Sequence, residues 1–198
     1  MKGHMSSQVR GSLFLDYVRM LKVRRDVEWS RHLAPEDLPY LEEEIDPGAW
    51  YPMATFERLG IAILKVVAGG DLDAVRSWGK LTVRPLATLH GKLLVENDPR
   101  ESLMRFHVLR RTFFDFEAAS VTRLHDTEVR LDIAYRMSPD AEEAACYQTM
   151  GFFEGLVELA SGREVKARFD EQAWRGAQRT LLVVSWKPPA VIGRSPGS

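Results

Sequence analysis

The chain has 198 residues, with 27 Lys and Arg against 28 Asp and Glu, a formal net charge of −1, and 45% hydrophobic residues. That composition belongs to a globular domain, excludes wholesale disorder, and gives no global pull toward nucleic acid or anionic lipid. The single cysteine, Cys146, excludes an intrachain disulfide and a cysteine-rich zinc site.

The start of the chain offers no secretory signal, because only Leu13-Phe14-Leu15 follows Lys2 and Arg10 before Asp16 intervenes. The most apolar run, 61–68, contains Lys65 and falls far short of the roughly 20 residues that cross a bilayer. A cytoplasmic location without a membrane span is expected. Residues 11–25 carry Leu13, Tyr17, Met20 and Leu21 at helical spacing. Pro35 predicts the first turn of a short helix, and Asp46-Pro47-Gly48 a turn. From Pro52, apolar residues repeat every three or four positions until Gly69-Gly70. Asp71 caps a helix to Trp78, and a second, interrupted by Pro85 and Gly91, spans 83–95. Asn97-Asp98-Pro99 starts a helix that the stripe Leu103, Phe106, Leu109, Phe113 and Phe116 carries to Phe116.

Beyond residue 116 the period changes to two. Val121, Arg123 and 129–135 alternate around a turn at His125-Asp126-Thr127. Ser138-Pro139-Asp140 opens a long helix to about Ala160, which Gly162 ends, and a second hairpin uses Val165, Ala167 and Phe169 with 180–186. The expected fold is α+β: one domain over 8–187, mainly helical over 8–116 and hairpin–helix–hairpin over 117–187. Its four-stranded antiparallel sheet carries the long helix, and the N-terminal helices bury their stripes against the same layer. Residues 1–7 and 188–198 are expected to be flexible tails.

Catalytic motifs are missing. There is no His-Glu-x-x-His, no Walker loop and no Gly-x-Ser-x-Gly elbow, and neither a metal nor a cofactor is expected. Attention falls instead on charge lying in apolar stripes. Arg110 sits among Leu103, Phe106, Phe113 and Phe114 on the helical wheel, and Glu142 among Cys146, Thr149 and Phe153. A guanidinium there requires a partner, either a protein carboxylate or an anionic ligand. His107, on the margin of the same stripe, reads as a hydrogen-bonded core histidine before a haem ligand. Ala144, Gly151 and Gly155 form a ridge without bulk, which either admits a neighbouring element or leaves space for a flat ligand. Trp50, Tyr51 and Phe56 offer core packing or a partner patch.

The motifs Trp50-Tyr51-Pro52-Met53, Leu59-Gly60, Asp98-Pro99-Arg100, Thr112-Phe113-Phe114-Asp115-Phe116 and Gln148-Thr149-Met150-Gly151-Phe152-Phe153-Glu154 carry a resemblance. The chain resembles a myxobacterial paralogous family of uncharacterised proteins over 9–186, which implies no particular activity. At greater distance, 150–156, Gly162-Arg163-Glu164-Val165 and 176–186 resemble the closing half of 4-vinyl-reductase-type domains. That superfamily includes haem nitric-oxide sensors and vesicle-tethering subunits of Golgi transport. The resemblance implies an α+β fold with a helical layer, a buried small-ligand pocket and dimerisation. The cysteines that flank the closing glycine in metal-binding members are replaced by Gln172, Ala173 and Thr180.

These readings converge on a non-catalytic regulatory or signalling module that binds a small apolar or amphipathic ligand, a protein partner, or both, as a homodimer and without nucleic acid. Its expected ligand-binding residues are Arg110, His107, Glu142, Gly151 and Gly155. The alternatives are an interaction protein with a filled core, acting through a dimer surface, and an enzyme using Arg110, His107 and Glu142.

Overall fold

A computed structural model describes residues 7–188. Both expected tails fall almost wholly outside them. Ser7 is held, its carbonyl accepting from Met53 N at 2.9 Å, and the Pro188 carbonyl accepts from Arg163 Nε at 2.9 Å.

The N-terminal half contains β1 (Gln8–Arg10), α1 (Gly11–Val23), β2 (Trp50–Pro52) and α2 (Met53–Ala62), which runs on into one π-helical turn, Ile63–Val67. The strands pair antiparallel through Val9↔Tyr51, a small sheet not anticipated from the sequence, since three residues show no period. Val9 also bridges to Phe114, and Arg10 N donates to the Phe113 carbonyl at 2.8 Å. The buried face of α1 is Gly11, Phe14, Val18 and Leu21. Of the expected stripe only Leu21 is fully buried, while Tyr17 and Met20 are half-buried at its margin. Phe14 stacks on Tyr51 at 4.5 Å and meets Tyr40 edge-on at 5.1 Å, so Tyr51 and Phe56 are core residues while Trp50 stays exposed. Pro35 lies in a turn rather than a helix, and a 3-10 turn, Leu38–Leu41, follows it. The fully buried Asp37 beside it accepts two bonds from Arg58, at 2.5 and 2.6 Å.

Gly69 and Gly70 stop this half with φ of 62° and 84°, a left-handed pair that side chains disfavour. The C-terminal half follows: α3 (Leu72–Leu89), α4 (Pro99–Leu109), β3 (Ala119–Leu124), β4 (Glu128–Ile133), α5 (Pro139–Leu159), β5 (Arg163–Glu171) and β6 (Thr180–Lys187). The two helices expected over 71–95 are one. Pro85 is tolerated because it and Leu81, whose carbonyl loses its partner, face solvent. In contrast, α4 stops at Leu109 instead of Phe116. A 3-10 turn, Arg110–Thr112, tightens the chain, and Thr112 Oγ1 donates to the Leu109 carbonyl at 2.8 Å.

The sheet order is β3-β4-β6-β5, antiparallel throughout, as expected for two hairpins around a helix. Val129, Leu131, Ile133, Leu182, Val184 and Trp186 face α5, which contributes Cys146, Met150, Phe153 and Val157 to the core. At the end of α5 the left-handed residue is Ser161 (φ 71°), not Gly162. Gly162 is needed for contact instead, since a Cβ there would stand 2.5 Å from Val157 Cγ1.

The chain is a single α+β domain with two hydrophobic clusters. One correction follows for the N-terminal helices: α1 and α2 bury their stripes in a cluster of their own, with Val9, Leu33 and Ile45, and not against the sheet layer. Tyr135 packs against both clusters.

Candidate functional site

The seam between α1 and α2 on one side and α3 and α5 on the other is a cleft. Tyr17 and Met20 of α1, Phe56 and Gly60 of α2, and Ile63 and Leu64 of the π-helical turn form one wall. Trp78 of α3 and Met137 flank it, and Ala141, Ala144, Ala145 and Gln148 of α5 make the opposite wall. The small residues on α5 leave room that larger side chains would fill. The π turn widens α2 where it meets the cleft, with Ala68 N bonding back five residues to the Ile63 carbonyl at 2.9 Å. Such turns concentrate at functional positions.

Tyr17 closes the cleft. Its ring stacks on Phe56 at 4.1 Å, which Gly60 permits, because a Cβ there would stand 3.2 Å from Tyr17 Cε2. The hydroxyl donates to Gln148 Oε1 at 2.6 Å, and burial raises its pKa, holding it as a neutral donor. Two further contacts pin the seam: Tyr135 Oη with Thr149 Oγ1 at 2.6 Å, and Ser138 N donating to Glu57 Oε1 at 2.9 Å. The cleft encloses about 20 Å³, room for about one water.

The five residues singled out by sequence lie elsewhere. Gly151 and Gly155 face α3 and leave no space for a flat ligand there: a Cβ on Gly151 would lie 1.8 Å from the Arg76 carbonyl oxygen, and one on Gly155 3.1 Å from Lys80. Gly79 of α3 completes the contact, 1.9 Å from the Gln148 carbonyl by the same test. Across it, Arg76 Nε donates to Glu154 Oε2 at 2.8 Å, and Glu154 is 2% exposed.

Arg110 finds a protein carboxylate, its terminal nitrogen lying 2.9 Å from Glu117 Oε1, while its Nε donates to His107 Nδ1 at 3.3 Å. Of the two partners its place in an apolar stripe called for, Arg110 thus has the protein carboxylate. Desolvation lowers the pKa of His107, and the charges of Arg110 and Arg111 lower it further. Glu142 accepts from Tyr135 N at 3.0 Å and Met137 N at 2.9 Å, fixing the entry to α5. The structure thus joins His107 to Arg110 and the two glycines to α3, but neither pair to Glu142. Among the described residues no three His, Cys, Asp or Glu side chains gather in a way that suits a metal ion. Sequence reasoning missed Tyr17, Gly60 and Gln148. The one available signal was that Tyr17 and Met20 share a helix face with Leu13, beside the fully apolar stripe.

No protein-family model matches the chain, and no curated protein does. Solved structures do. An H-NOX protein from S. oneidensis in the Fe(II)NO ligation state is similar at a TM-score of 0.63 and 14% identity, over 90% of this chain and 99% of that one. A point mutant of the T. tengcongensis H-NOX is similar at 0.56 and 13%, over 92% and 100%. A Cs H-NOX mutant gives 0.57 and 11%, over 93% and 100%. At these identities the likeness establishes a shared fold, that of the H-NOX proteins.

Proposed function

We propose that this chain is a regulatory domain whose site is the cleft at the seam of α1 and α2 with α3 and α5, and whose ligand is a small apolar or amphipathic molecule. One observation carries the reading: a molecule in the cleft touches α1, α2, α3 and α5 at once, and so bears on the N-terminal cluster and on the two helices, α3 and α5, whose other faces enter the sheet-side core. The fold of ligand-holding H-NOX proteins supports a sensor role.

Haem does not fit these residues. A cofactor of that size needs a pocket of several hundred Å³ and an axial donor. The cleft encloses about 20 Å³ and has no His or Cys in its wall, and its thioethers, Met20 and Met137, have no room for a macrocycle beside them. Tyr17 is committed to Gln148, and His107 Nδ1 to Arg110. A smaller ligand enters by displacing the Tyr17 ring. Its polar end takes over the bond to Gln148, and its hydrocarbon lies along Ala141, Ala144 and Trp78. Releasing one such hydrogen bond costs about 1 kcal/mol net, which a few buried methylene groups at about 0.8 kcal/mol each offset.

The small enclosed volume favours a second reading, an interaction protein with a filled core that acts through a dimer or partner surface. One experiment separates the two. The full chain and an Ala144→Phe variant are titrated with 1-octanol while the midpoint of thermal unfolding is followed. The ligand reading expects the wild-type midpoint to rise with concentration and that of Ala144→Phe to stay fixed. A flat wild-type response refutes it and leaves the filled core. Hemin added in equal amount gives no bound-haem absorption band. The proposal includes domain limits of 8–187, a cytoplasmic homodimer, and membership of the myxobacterial paralogues on the motifs given above. No helix among the described residues is long and apolar enough to cross a membrane.

A further inference from the structure

Among the described residues, four of the six large hydrophobic side chains left exposed belong to α3 and α4. They are Leu81 (71%) and Leu89 (71%) of α3, and Met104 (43%) and Val108 (70%) of α4. Their spacing is helical on both elements, i and i+8 on α3 and i and i+4 on α4, so each pair lies on one helix face. Between the end of α3 and α4 runs an open groove of about 800 Å³, floored by Leu93 and Leu109 and walled by Val108. Val108 lines the channel, and Leu89 and Met104 are next in sequence to its lining residues His90 and Arg105; exposed apolar surface adjoining a concave channel is costly in water and marks an interaction site.

The rim is cationic. Lys92 and Arg105 line the groove, and Arg111 follows the lining residue Leu109 by two positions, in the 3-10 turn that ends α4. Arg100, Arg105 and Arg110 are paired with Asp126, Glu101 and Glu117, whereas the exposed Lys92 and Arg111 have no carboxylate partner among the described residues. An apolar channel between unneutralised cations is complementary to an amphipathic helix with an apolar stripe and acidic flanks. We propose that the α3–α4 corner docks a protein partner through such a segment, its stripe against Leu89, Val108 and Leu109 and its carboxylates on Lys92 and Arg111. This surface lies apart from the seam cleft and stands whether or not the cleft takes a ligand.

The test uses the full chain and a fluorescein-labelled 16-residue synthetic helix with Leu at i, i+3, i+4 and i+7 and Glu on its remaining face, read by fluorescence anisotropy. The acidic helix should bind saturably, while a counterpart with Lys in place of Glu should not. Val108→Glu and Arg111→Glu should each weaken binding at least tenfold, with unfolding midpoints unchanged because both side chains are exposed. Raising salt from 50 to 300 mM should weaken binding as well. Four results would overturn the proposal: no saturable binding, equal binding of both helices, no response to Val108→Glu, or competition by phosphatidylserine vesicles. So would a dimer of the chain itself that Val108→Glu disperses in sedimentation, since a second copy would then be the occupant.

Discussion

Replacing Gly151 by alanine tests the α3–α5 contact directly. The new Cβ would lie 1.8 Å from the Arg76 carbonyl oxygen and 2.7 Å from its carbon. Ordinary carbon–oxygen contacts fall near 3.3–3.6 Å, so the helices must separate by about 1.5 Å. Overpacking of this kind costs about 1–3 kcal/mol. The same displacement stretches the Arg76–Glu154 pair, stranding a carboxylate that is 2% exposed, with Lys80 at 3.8 Å as its other cation. Weakening a buried pair without removing it adds about 2 kcal/mol, below the roughly 3–5 kcal/mol of outright loss. Alanine's higher helix propensity returns about 1 kcal/mol. The net destabilisation is about 3 kcal/mol, which for a chain of this size lowers the midpoint of thermal unfolding by roughly 6–12 °C. Circular dichroism melts of wild type, Gly151→Ala and Gly91→Ala supply the measurement. Gly91 is the control: a Cβ there would have no atom within 4 Å, so its replacement should change little. A Gly151→Ala midpoint at or above wild type would refute the reasoning.

Three other outcomes are expected. Glu142→Ala removes the acceptor of two backbone N–H groups and should cost about 3 kcal/mol in chemical denaturation, with Glu142→Gln costing about half as much because its one carbonyl oxygen keeps a single acceptor. His107 has its pKa lowered in the fold, chiefly by desolvation, so the unfolded chain binds its proton first. Its stability contribution is therefore complete above the ordinary value near 6.5 and declines as pH falls from there toward the folded pKa. In melts from pH 8 to pH 5, His107→Gln should flatten part of the acid-side loss. Cys146 is fully buried, and burial drives its thiol well above its ordinary range, so the native protein should resist thiol-specific modification until it is unfolded.

The hairpin–helix–hairpin half was legible because period and punctuation agree there. Residues 129–133 alternate, His125-Asp126-Thr127 interrupts, and Pro139 fixes the first turn of α5. The N-terminal half was legible as helices but not in its packing. A period-3.6 stripe does not distinguish Phe14 from Leu13 when both sides of α1 are apolar, and the difference was decided by where β1 and β2 place Tyr51. The ridge of Gly151 and Gly155 was visible, yet only the structure supplies its counterpart, Gly79, and with it the answer that a helix fills the space. Arg110 showed that a charge within an apolar stripe needs a partner. Glu117, seven residues on and past the helix end, could not be chosen by helical-wheel geometry. The cleft escaped notice because its parts come from four elements and most are individually ordinary.

The short strand β1 binds partners on both edges, and one of them is made very late. Its pairing with Trp50–Pro52 is available early in synthesis, but Phe113, Phe114 and Asp115 are translated about a hundred residues after Val9. At ribosomal rates of about 5–20 residues per second, that open edge waits roughly 5–20 s. The first half of the polypeptide thus emerges unfinished and is sealed by a segment of the second, which ties nascent-chain folding to the passage of α4 and makes a separately produced front half prone to sticking through β1.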